Sequence, residues 1–506
     1  MNRSFDRNRR RLLQTLGAGF TTASAAQMFP QLSLLRSAMA APSGDYRALV
    51  CVYLAGANDS FNFIVPRDSD ASGSWYDAYR SARGGVFSDS NTTGLALGFN
   101  DLLPISPSNQ SNGFGLHPAC TDFTLDNGSS SQTHAGLQSL FNSGKAAFLA
   151  NVGPLVQPVT LDEYNAGAPR PAQLFSHNDQ ALLWELGMTD TNSPLASYGW
   201  GGRVAAAGGF SVLSNGLSPN VSIAGSARFL VGEGVFPYQM GTQGVDLLDQ
   251  YQTTGASNNN YPDARRAVLD SLLNAAQNDP FAREYATITR RSLSVGEQLY
   301  GALESADGTL STLFPATSIG SQLAMVARMI KLSRNTLGAQ RQVYYVRFGS
   351  FDLHDGMFVA GQPVASSGHG ALLTELNQSL GAFWAALGEA GAQDDVTTFT
   401  MSDFGRTLSS NGNGSDHAWG GHQIVMGGRV DGNKLYGRMP LMQLNANNNS
   451  EQDWSLSRGQ YIPTTSVDQM AATLAQWMGV TDNAALDAIF PNLANFSSRN
   501  LGFMLG

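Results

Sequence analysis

The strongest constraint on the fold is a series of uninterrupted apolar segments, each about as long as a β-strand. They lie at 48–54, 146–150, 343–348, 396–401 and 423–426. Each segment stops at a polar turn, the first of them at Gly56-Ala57-Asn58-Asp59-Ser60. Strands that are apolar throughout, without alternation, are typical of a sheet that is covered on both faces. These segments therefore predict a buried central sheet.

Helical patterns separate the apolar segments. Two stretches repeat apolar residues at helical spacing; these residues are Ile319, Leu323, Val326 and Ile330, and then Leu373, Leu376, Leu380, Phe383 and Leu387. Ser466 and Gln469 form a capping-box pattern for a helix that ends near Gly479. Strands alternating with helices predict an α/β fold with a largely parallel central sheet and helices on both faces. The mostly helical stretch 262–305 predicts a partly helical insertion or cap at about 204–316.

The N-terminus has the three parts of an export signal. Five arginines precede a weakly apolar run, and the small-x-small pattern Ala38-Met39-Ala40 follows it. Paired arginines directly before the apolar run indicate the twin-arginine route, which carries folded cargo. We therefore expect a signal peptide at 1–40 and a mature domain at 41–506, located in the periplasm or secreted. The expected partner is the twin-arginine export machinery, with no stable membrane span after cleavage.

Composition excludes several other classes of protein. The formal net charge is −9, and removal of the basic signal makes the mature chain more acidic still. This acidity argues against nucleic acid and anionic membrane surfaces as partners. Two cysteines are too few for a disulfide scaffold. Cys51 lies in an apolar run, which favours a buried thiol, although a bridge to Cys120 stays open.

Several of the predicted strands are followed by residues that can bind metals. Asp59 follows the first strand, Asp352 and His354 follow a later one, and Asp403 follows the next. His417 and His422 come shortly afterwards. In α/β sheets, ligands bind beyond the carboxyl ends of the strands. Carboxylate oxygen and imidazole nitrogen are ligands for divalent ions, which can assist phosphoryl transfer.

Seven motifs, in this order, resemble a large family of exported bacterial proteins known only as a domain of unknown function (fifteen-oh-one). They are Leu54-Ala55-Gly56-Ala57-Asn58-Asp59-Ser60, Leu116-His117-Pro118, Phe175-Ser176-His177, Gly199-Trp200-Gly201-Gly202-Arg203, Phe351-Asp352-Leu353-His354, Ser402-Asp403-Phe404-Gly405-Arg406 and Asp416-His417-Ala418-Trp419-Gly420. The match extends over nearly the whole mature chain. That family resembles the alkaline phosphatase and sulfatase superfamily, so the resemblance implies an alkaline-phosphatase-like fold.

The resemblance also implies roles for particular residues. It implies that the metal ligands are Asp59, Asp352, His354, Asp403, His417 and His422, holding one or two ions of zinc, manganese, magnesium or calcium. Ser176 is the candidate nucleophile, because a helix N-terminus would stabilise its anionic form. His177, Arg203 and Arg406 are candidates for binding an anionic substrate. Phe404 departs from the pattern, because alkaline phosphatases have a metal-binding histidine at that place.

Three function classes remain open at this stage. The first is a metal-dependent hydrolase that acts on phosphate or sulfate esters of a small molecule or an anionic polymer. The second is a non-catalytic exported protein that binds a metal or an anionic ligand. The third is a serine hydrolase, which ranks last because the chain has no Gly-x-Ser-x-Gly elbow.

Overall fold

The structure is a computed structural model that describes residues 46–210, 216–245, 247, 262–275, 279–444 and 455–506. The predicted signal peptide at 1–40 and its cleavage site lie outside the described residues. Within the described part, no helix combines the length and apolarity that a membrane crossing requires.

In the described part of the chain, sixteen strands form one large sheet and three small ones. In chain order they are β1 (Arg47–Leu54), β2 (Ile64–Pro66), β3 (Leu103–Ile105), β4 (Phe114–Leu116), β5 (Phe123–Asp126), β6 (Ser131–His134), β7 (Ala146–Gly153), β8 (Asn220–Ser222), β9 (Tyr238–Gln239), β10 (Arg341–Phe348), β11 (Val396–Ser402), β12 (Gly421–Gly427), β13 (Leu435–Gly437), β14 (Ser455–Leu456), β15 (Gln460–Tyr461) and β16 (Thr465–Ser466).

Helices fill most of the connections between the strands of the large sheet. They are α1 (Trp75–Ala82), α2 (Leu137–Asn142), α3 (Leu161–Asn165), α4 (His177–Leu186), α5 (Trp200–Ala207), α6 (Pro262–Asn274), α7 (Pro280–Leu303), α8 (Ser318–Leu332), α9 (Gly368–Glu389), α10 (Val467–Trp477) and α11 (Asn483–Ile489). Both predicted apolar stripes lie on buried faces, one on α8 and the other on α9. The capping box at Ser466 is present, and α10 ends just before Gly479.

The central sheet is mixed but largely parallel. Its nine strands run in the order β13-β7-β12-β11-β1-β10-β8-β9, with β16 paired to β7. The strand β1 pairs in parallel with both β10 and β11, and Leu54 lies level with Phe348 and Ser402. The carboxyl ends of these three central strands therefore meet at one edge of the sheet.

One strand departs from the parallel arrangement. β12 pairs antiparallel with β11 and with β7. Its sequence predicted a strand ending at Gly427, but the sequence did not reveal its direction. Because β12 runs the opposite way, its first residues, including His422, lie at the same edge as the carboxyl ends of β1, β10 and β11. This reversal places His422 at that edge, at the start of a strand rather than after the end of one.

Both faces of the sheet are covered, as the continuous apolar strands predicted. Alternate residues of β1 enter different core clusters: Val50 and Val52 join one, while Leu49 and Cys51 join the other. Helices α8 and α9 pack against the first cluster, and α5 and α10 pack against the second. Burying each large aliphatic side chain stabilises the fold by about 1.5–3 kcal/mol, so both layers hold the sheet rigidly under the site.

The stretch predicted as an insertion at 204–316 contains two kinds of structure. β8 and β9 extend the central sheet on its far side, whereas α6 and α7 form a helical pair outside it. Both cysteines are free and buried, so the prediction of a buried thiol at Cys51 is confirmed. Burial raises the pKa of the Cys51 and Cys120 thiols, which keeps both protonated at neutral pH.

Candidate metal centre

The turns that follow β1 and β10 pack directly against each other. Gly56 has a φ of 104°, and a Cβ atom at this position would lie 2.6 Å from the backbone nitrogen of Asp352. Only glycine allows this approach in a left-handed conformation. The Gly56 backbone N–H also donates to the carboxylate of Asp403 at 3.0 Å. The sequence Gly56-Ala57 therefore fixes the positions of two acidic residues that follow neighbouring strands.

Three imidazoles and one carboxylate converge at this edge of the sheet. The Nε2 atom of His417 lies 2.9 Å from Nε2 of His354 and 3.1 Å from Nε2 of His177. Asp352 Oδ1 lies 3.1 Å from Nε2 of His354 and 3.5 Å from Nε2 of both His177 and His417. The side chains of Asp352 and His354 are nearly half exposed. The cluster therefore opens to solvent on one side.

The Nδ1 atom of each imidazole has its own partner. His177 Nδ1 lies 2.5 Å from Asp403 Oδ2, and His354 Nδ1 lies 2.9 Å from Asp416 Oδ1. His417 Nδ1 lies 2.8 Å from the carbonyl oxygen of Phe175. Because these partners accept hydrogen bonds from Nδ1–H, they leave the Nε2 lone pairs free, and each Nε2 atom lies within 3.5 Å of Asp352 Oδ1. This arrangement, with the second ring nitrogen anchored, is typical of metal-binding histidines.

The donor set fits a single transition metal ion. Ligands about 2.0–2.2 Å from a tetrahedral ion lie roughly 3.3–3.6 Å from each other, and the distances among His177, Asp352 and His417 are 3.1–3.5 Å. His177, Asp352 and His417 form a group able to hold an ion, with His354 beside them. Burial and the neighbouring positive charges lower the pKa of His417, which favours the neutral imidazole that a metal requires.

Arg406 supports the cluster from beneath. Its side chain is fully buried and donates to the carbonyl oxygens of Ala57 and Gly56, each at 3.1 Å, and to the carboxylate of Asp352. Burial by itself raises the pKa of Asp352, but the hydrogen bond and charge of Arg406 outweigh it, and the net shift is downward. Arg406 was predicted to bind substrate. Its burial places it instead in a supporting role that keeps Asp352 ionised.

Asp403 and Phe404 form the wall behind His177. Asp403 accepts hydrogen bonds from the Tyr53 hydroxyl and from the imidazole of His177, so it orients a ring rather than joining the four converging atoms. The ring of Phe404 packs 4.7 Å from the ring centroids of both His177 and His417. Phe404 therefore holds two imidazoles in place through aromatic contact.

Asp59 and His422 were predicted as metal ligands, but the structure keeps them apart from the cluster. Asp59 is buried and forms an ion pair with the fully buried guanidinium of Arg83. His422 accepts a hydrogen bond at Nδ1 from the backbone nitrogen of Asn151, and burial lowers the pKa of His422 to about 3. Arg83 supplies the positive charge that Asp59 needs in the interior. Within the described residues, the group of side chains placed to hold an ion is therefore that of His177, Asp352 and His417.

The buried pair of Asp59 and Arg83 leads to a stability prediction. Replacing Arg83 with methionine leaves the carboxylate of Asp59 buried without a counter-charge, and we expect a loss of about 3–5 kcal/mol in the free energy of unfolding. The control is Arg80→Met, which breaks an exposed pair with Asp77 on the same helix and should cost about 1 kcal/mol or less. Urea unfolding followed by circular dichroism compares the two. Equal losses would contradict this role for Arg83.

Ser176 lies beside the cluster, whereas Arg203 does not. Ser176 is the N-cap of α4, and its hydroxyl lies 2.5 Å from Asp179 Oδ2. The residues on either side of it both reach the cluster, since the carbonyl of Phe175 contacts His417 and His177 contributes Nε2. Arg203, predicted to bind substrate, is buried in α5 and donates to the backbone carbonyls of Leu186 and Tyr198. It therefore stabilises the core.

Sequence reasoning predicted His177 as a substrate-binding residue and did not identify several supporting residues. The structure places the ring of His177, from the first turn of α4, in the His/Asp cluster. No sequence pattern indicated a role at the site for Arg83 or Tyr53. Their partners, Asp59 and Asp403, lie 24 and 350 positions away in the chain. Asp416 follows no strand directly, and only its position next to His417 pointed to the site.

Backbone strain is concentrated at this edge of the sheet. In the described part of the chain, six residues other than glycine have a positive φ, and all but Asn433 lie in segments that support the site. Those five are Ala57, Asn151, Gln173, Ser350 and Arg458. Each such residue costs about 1–3 kcal/mol and persists where the surrounding structure enforces it, which is common at functional sites.

Fold and site together define an α/β protein with a cluster of histidine and aspartate side chains at the edge of a largely parallel sheet. The chain belongs to the family described as "Protein of unknown function (DUF1501)", whose model matches residues 46–490. No curated protein matches the chain.

Several solved structures are similar to the chain at low sequence identity. The PsFucS1 sulfatase from Pseudoalteromonas sp. is 11% identical, with a TM-score of 0.29 over 87% of this chain and 75% of that chain. The phosphonate monoester hydrolase of Agrobacterium radiobacter is 12% identical, with a TM-score of 0.27 over 67% of each chain. Similarities at these TM-scores carry no argument about the fold or activity of this protein.

Proposed function

We propose that the protein is an exported, metal-dependent hydrolase of phosphate or sulfate esters, with an alkaline-phosphatase-like centre. The observation that carries this proposal is the convergence of three Nε2 atoms on one carboxylate oxygen, with every Nδ1 atom held by a separate partner. A structural histidine rarely needs such an arrangement, whereas a metal ligand does. The open side of the cluster gives a substrate access to it.

His177, Asp352, His354 and His417 would hold the ion. Three imidazoles and one carboxylate suit zinc, with manganese as the alternative, and they suit magnesium or calcium less because those ions prefer oxygen ligands. When bound, such an ion supplies Lewis-acid stabilisation of charge on the ester oxygens. The proposal assigns one ion, since Arg83 occupies the place beside Asp59.

Ser176 is the proposed nucleophile. Its hydroxyl oxygen would attack phosphorus or sulfur, forming a serine ester while the bond to the leaving oxygen breaks; that oxygen takes a proton from solvent and leaves as the alcohol, and water then hydrolyses the serine ester to release phosphate or sulfate. The hydroxyl proton passes to the carboxylate of Asp179, which already lies 2.5 Å away. The N-terminus of α4 stabilises the negative charge on the attacking oxygen. Ser60, the other serine near the edge, is buried and its Oγ accepts a hydrogen bond from the backbone nitrogen of His422.

The test of this function uses protein purified after native export. We expect about one zinc or manganese ion per chain by elemental analysis, together with hydrolysis of an aryl phosphate or an aryl sulfate. Phosphodiesters are included to separate monoesterase from diesterase activity. Metal-loaded, folded protein that turns over none of these esters would contradict the hydrolase and favour the non-catalytic binding protein. Turnover of carboxylic esters alone, without metal, would favour the serine hydrolase.

Export through the twin-arginine route leads to a separate prediction. Replacing Arg9 and Arg10 with lysine should stop the mature protein from reaching the periplasm, because the transporter recognises the arginine pair. Cell fractionation and immunoblotting measure the result, with Arg3→Lys as the control that changes one arginine outside the pair. Normal amounts of mature periplasmic protein from the double variant would exclude this route.

A further inference from the structure

Among the residues that the structure describes, Arg458 is an exposed arginine at the rim of the candidate metal centre. Arg203 and Arg406, the two arginines expected to bind substrate, are both buried. Arg203 donates hydrogen bonds to backbone carbonyl oxygens, and Arg406 donates to a backbone carbonyl oxygen and to Asp352. Arg458 differs because its side chain is 46% exposed. It donates from Nη1 to Oδ2 of Asp416, and the exposed part of the guanidinium faces solvent. A planar guanidinium that is held on one side and open on the other can bind an anion.

The segment that carries Arg458 borders the cluster at two points. Asp416, the partner of Arg458, lies 2.9 Å from Nδ1 of His354 through its other oxygen. Two residues beyond Arg458, the Gln460 amide donates to the carbonyl oxygen of His417 at 2.8 Å. The guanidinium is therefore separated from His354 by one carboxylate, and the side chain of Gln460 joins the same segment to His417.

The backbone of Arg458 is fixed in an unusual conformation. Its φ is 69° and its ψ is 11°, the left-handed region that arginine rarely adopts. Its carbonyl oxygen accepts hydrogen bonds from the backbone nitrogen and from the hydroxyl of Ser409, both at 3.1 Å. Glycine or asparagine would fit this backbone with less strain. An arginine held there at a cost indicates that its side chain is needed.

We propose that Arg458 binds the tetrahedral anionic group of the substrate, a phosphate or sulfate, at the open side of the metal centre. This proposal rests on the proposed function and adds the residue that recognises the anion. The guanidinium donates to non-bridging oxygens, and Asp416 holds it in place. Neutral esters lack those oxygens, so the substrate class is an anionic phosphate or sulfate ester.

The test measures anion binding without relying on turnover. Metal-loaded full-length mature protein is titrated with inorganic phosphate and, separately, with inorganic sulfate in a calorimeter. Arg458→Asn removes the guanidinium and suits the left-handed backbone, Arg458→Lys keeps the charge, and Arg429→Asn changes an exposed arginine at another surface. We expect Arg458→Asn to weaken binding of the preferred anion about tenfold or more, Arg458→Lys to weaken it less, and Arg429→Asn to leave it unchanged.

The outcomes separate this proposal from the hydrolase itself. Unchanged anion affinity in Arg458→Asn, or no binding of either anion by the unaltered protein, would overturn the proposal. Loss of the metal from Arg458→Asn would also overturn it, because Arg458 would then act only through Asp416 on His354. If anions bind through Arg458 but no ester is turned over, the inference stands and the hydrolase is contradicted.

Discussion

Replacing His177 with alanine is expected to remove the bound metal and the ester hydrolysis together. His177 contributes one of the three Nε2 atoms to the cluster, and its Nδ1 atom is hydrogen-bonded to Asp403. Loss of a partner behind a ligand typically lowers metal affinity about 10–100-fold, and we expect loss of a ligand itself to exceed that. Equilibrium dialysis against buffered zinc gives the affinity, and aryl phosphate and aryl sulfate hydrolysis gives the activity.

Two further variants make the result specific. Asp403→Asn keeps all four converging atoms but weakens the hold on His177, so we expect a metal affinity about 10–100-fold lower rather than abolished. His134→Ala removes a buried histidine in the β5–β6 hairpin and should leave the metal in place. If His177→Ala binds zinc as tightly as His134→Ala does, the cluster is not the metal centre.

Replacing Ser176 with alanine is expected to keep the metal but lower the rate of hydrolysis by orders of magnitude. Ser176 is the proposed nucleophile, and it does not contribute any of the four converging atoms. Because removal of a nucleophile leaves binding and electrostatic stabilisation intact, a residual rate above the uncatalysed reaction should remain. The readouts are kcat with an aryl ester and the zinc content of the same sample.

The matched control for Ser176 is Ser74, which is also a helix N-cap. Ser74 accepts a hydrogen bond from the backbone nitrogen of Asp77 at the start of α1. Ser74→Ala should cost about 0.5–2 kcal/mol of stability and leave kcat unchanged. If Ser176→Ala behaves like Ser74→Ala, with turnover intact, the serine is a structural cap. The nucleophile would then be water.

Much of the fold could be predicted from the sequence because its signals are local. The apolar run of β1 is buried on both faces, and the capping box at Ser466 opens α10 as its pattern indicated. The direction of β12 could not be predicted, because a strand buried on both faces has the same composition whether its neighbours run parallel or antiparallel. The position of His422 depended on that direction.

The site was predictable only in part, for a related reason. Asp352, His354 and His417 follow strands or a recognisable motif, so their convergence is visible in the sequence. Asp59 lies outside the cluster because it pairs with Arg83, the C-cap residue of α1. This contact forms only in the folded chain, so the spacing of the two residues in the sequence does not indicate it. Likewise, the sequence alone suggests that Arg203 and Arg406 are surface cations. The structure shows that both are buried and that their guanidinium groups donate hydrogen bonds to backbone carbonyl oxygens.

The most direct test of the central claim is anomalous X-ray diffraction from crystals of protein purified after native export. The account predicts one anomalous peak, at the absorption edge of zinc or manganese, within about 2.0–2.2 Å of its ligands. Those ligands are Nε2 of His177, His354 and His417 and an oxygen of Asp352. A peak beside Asp59 and His422, or no peak in crystals of active enzyme, would contradict it.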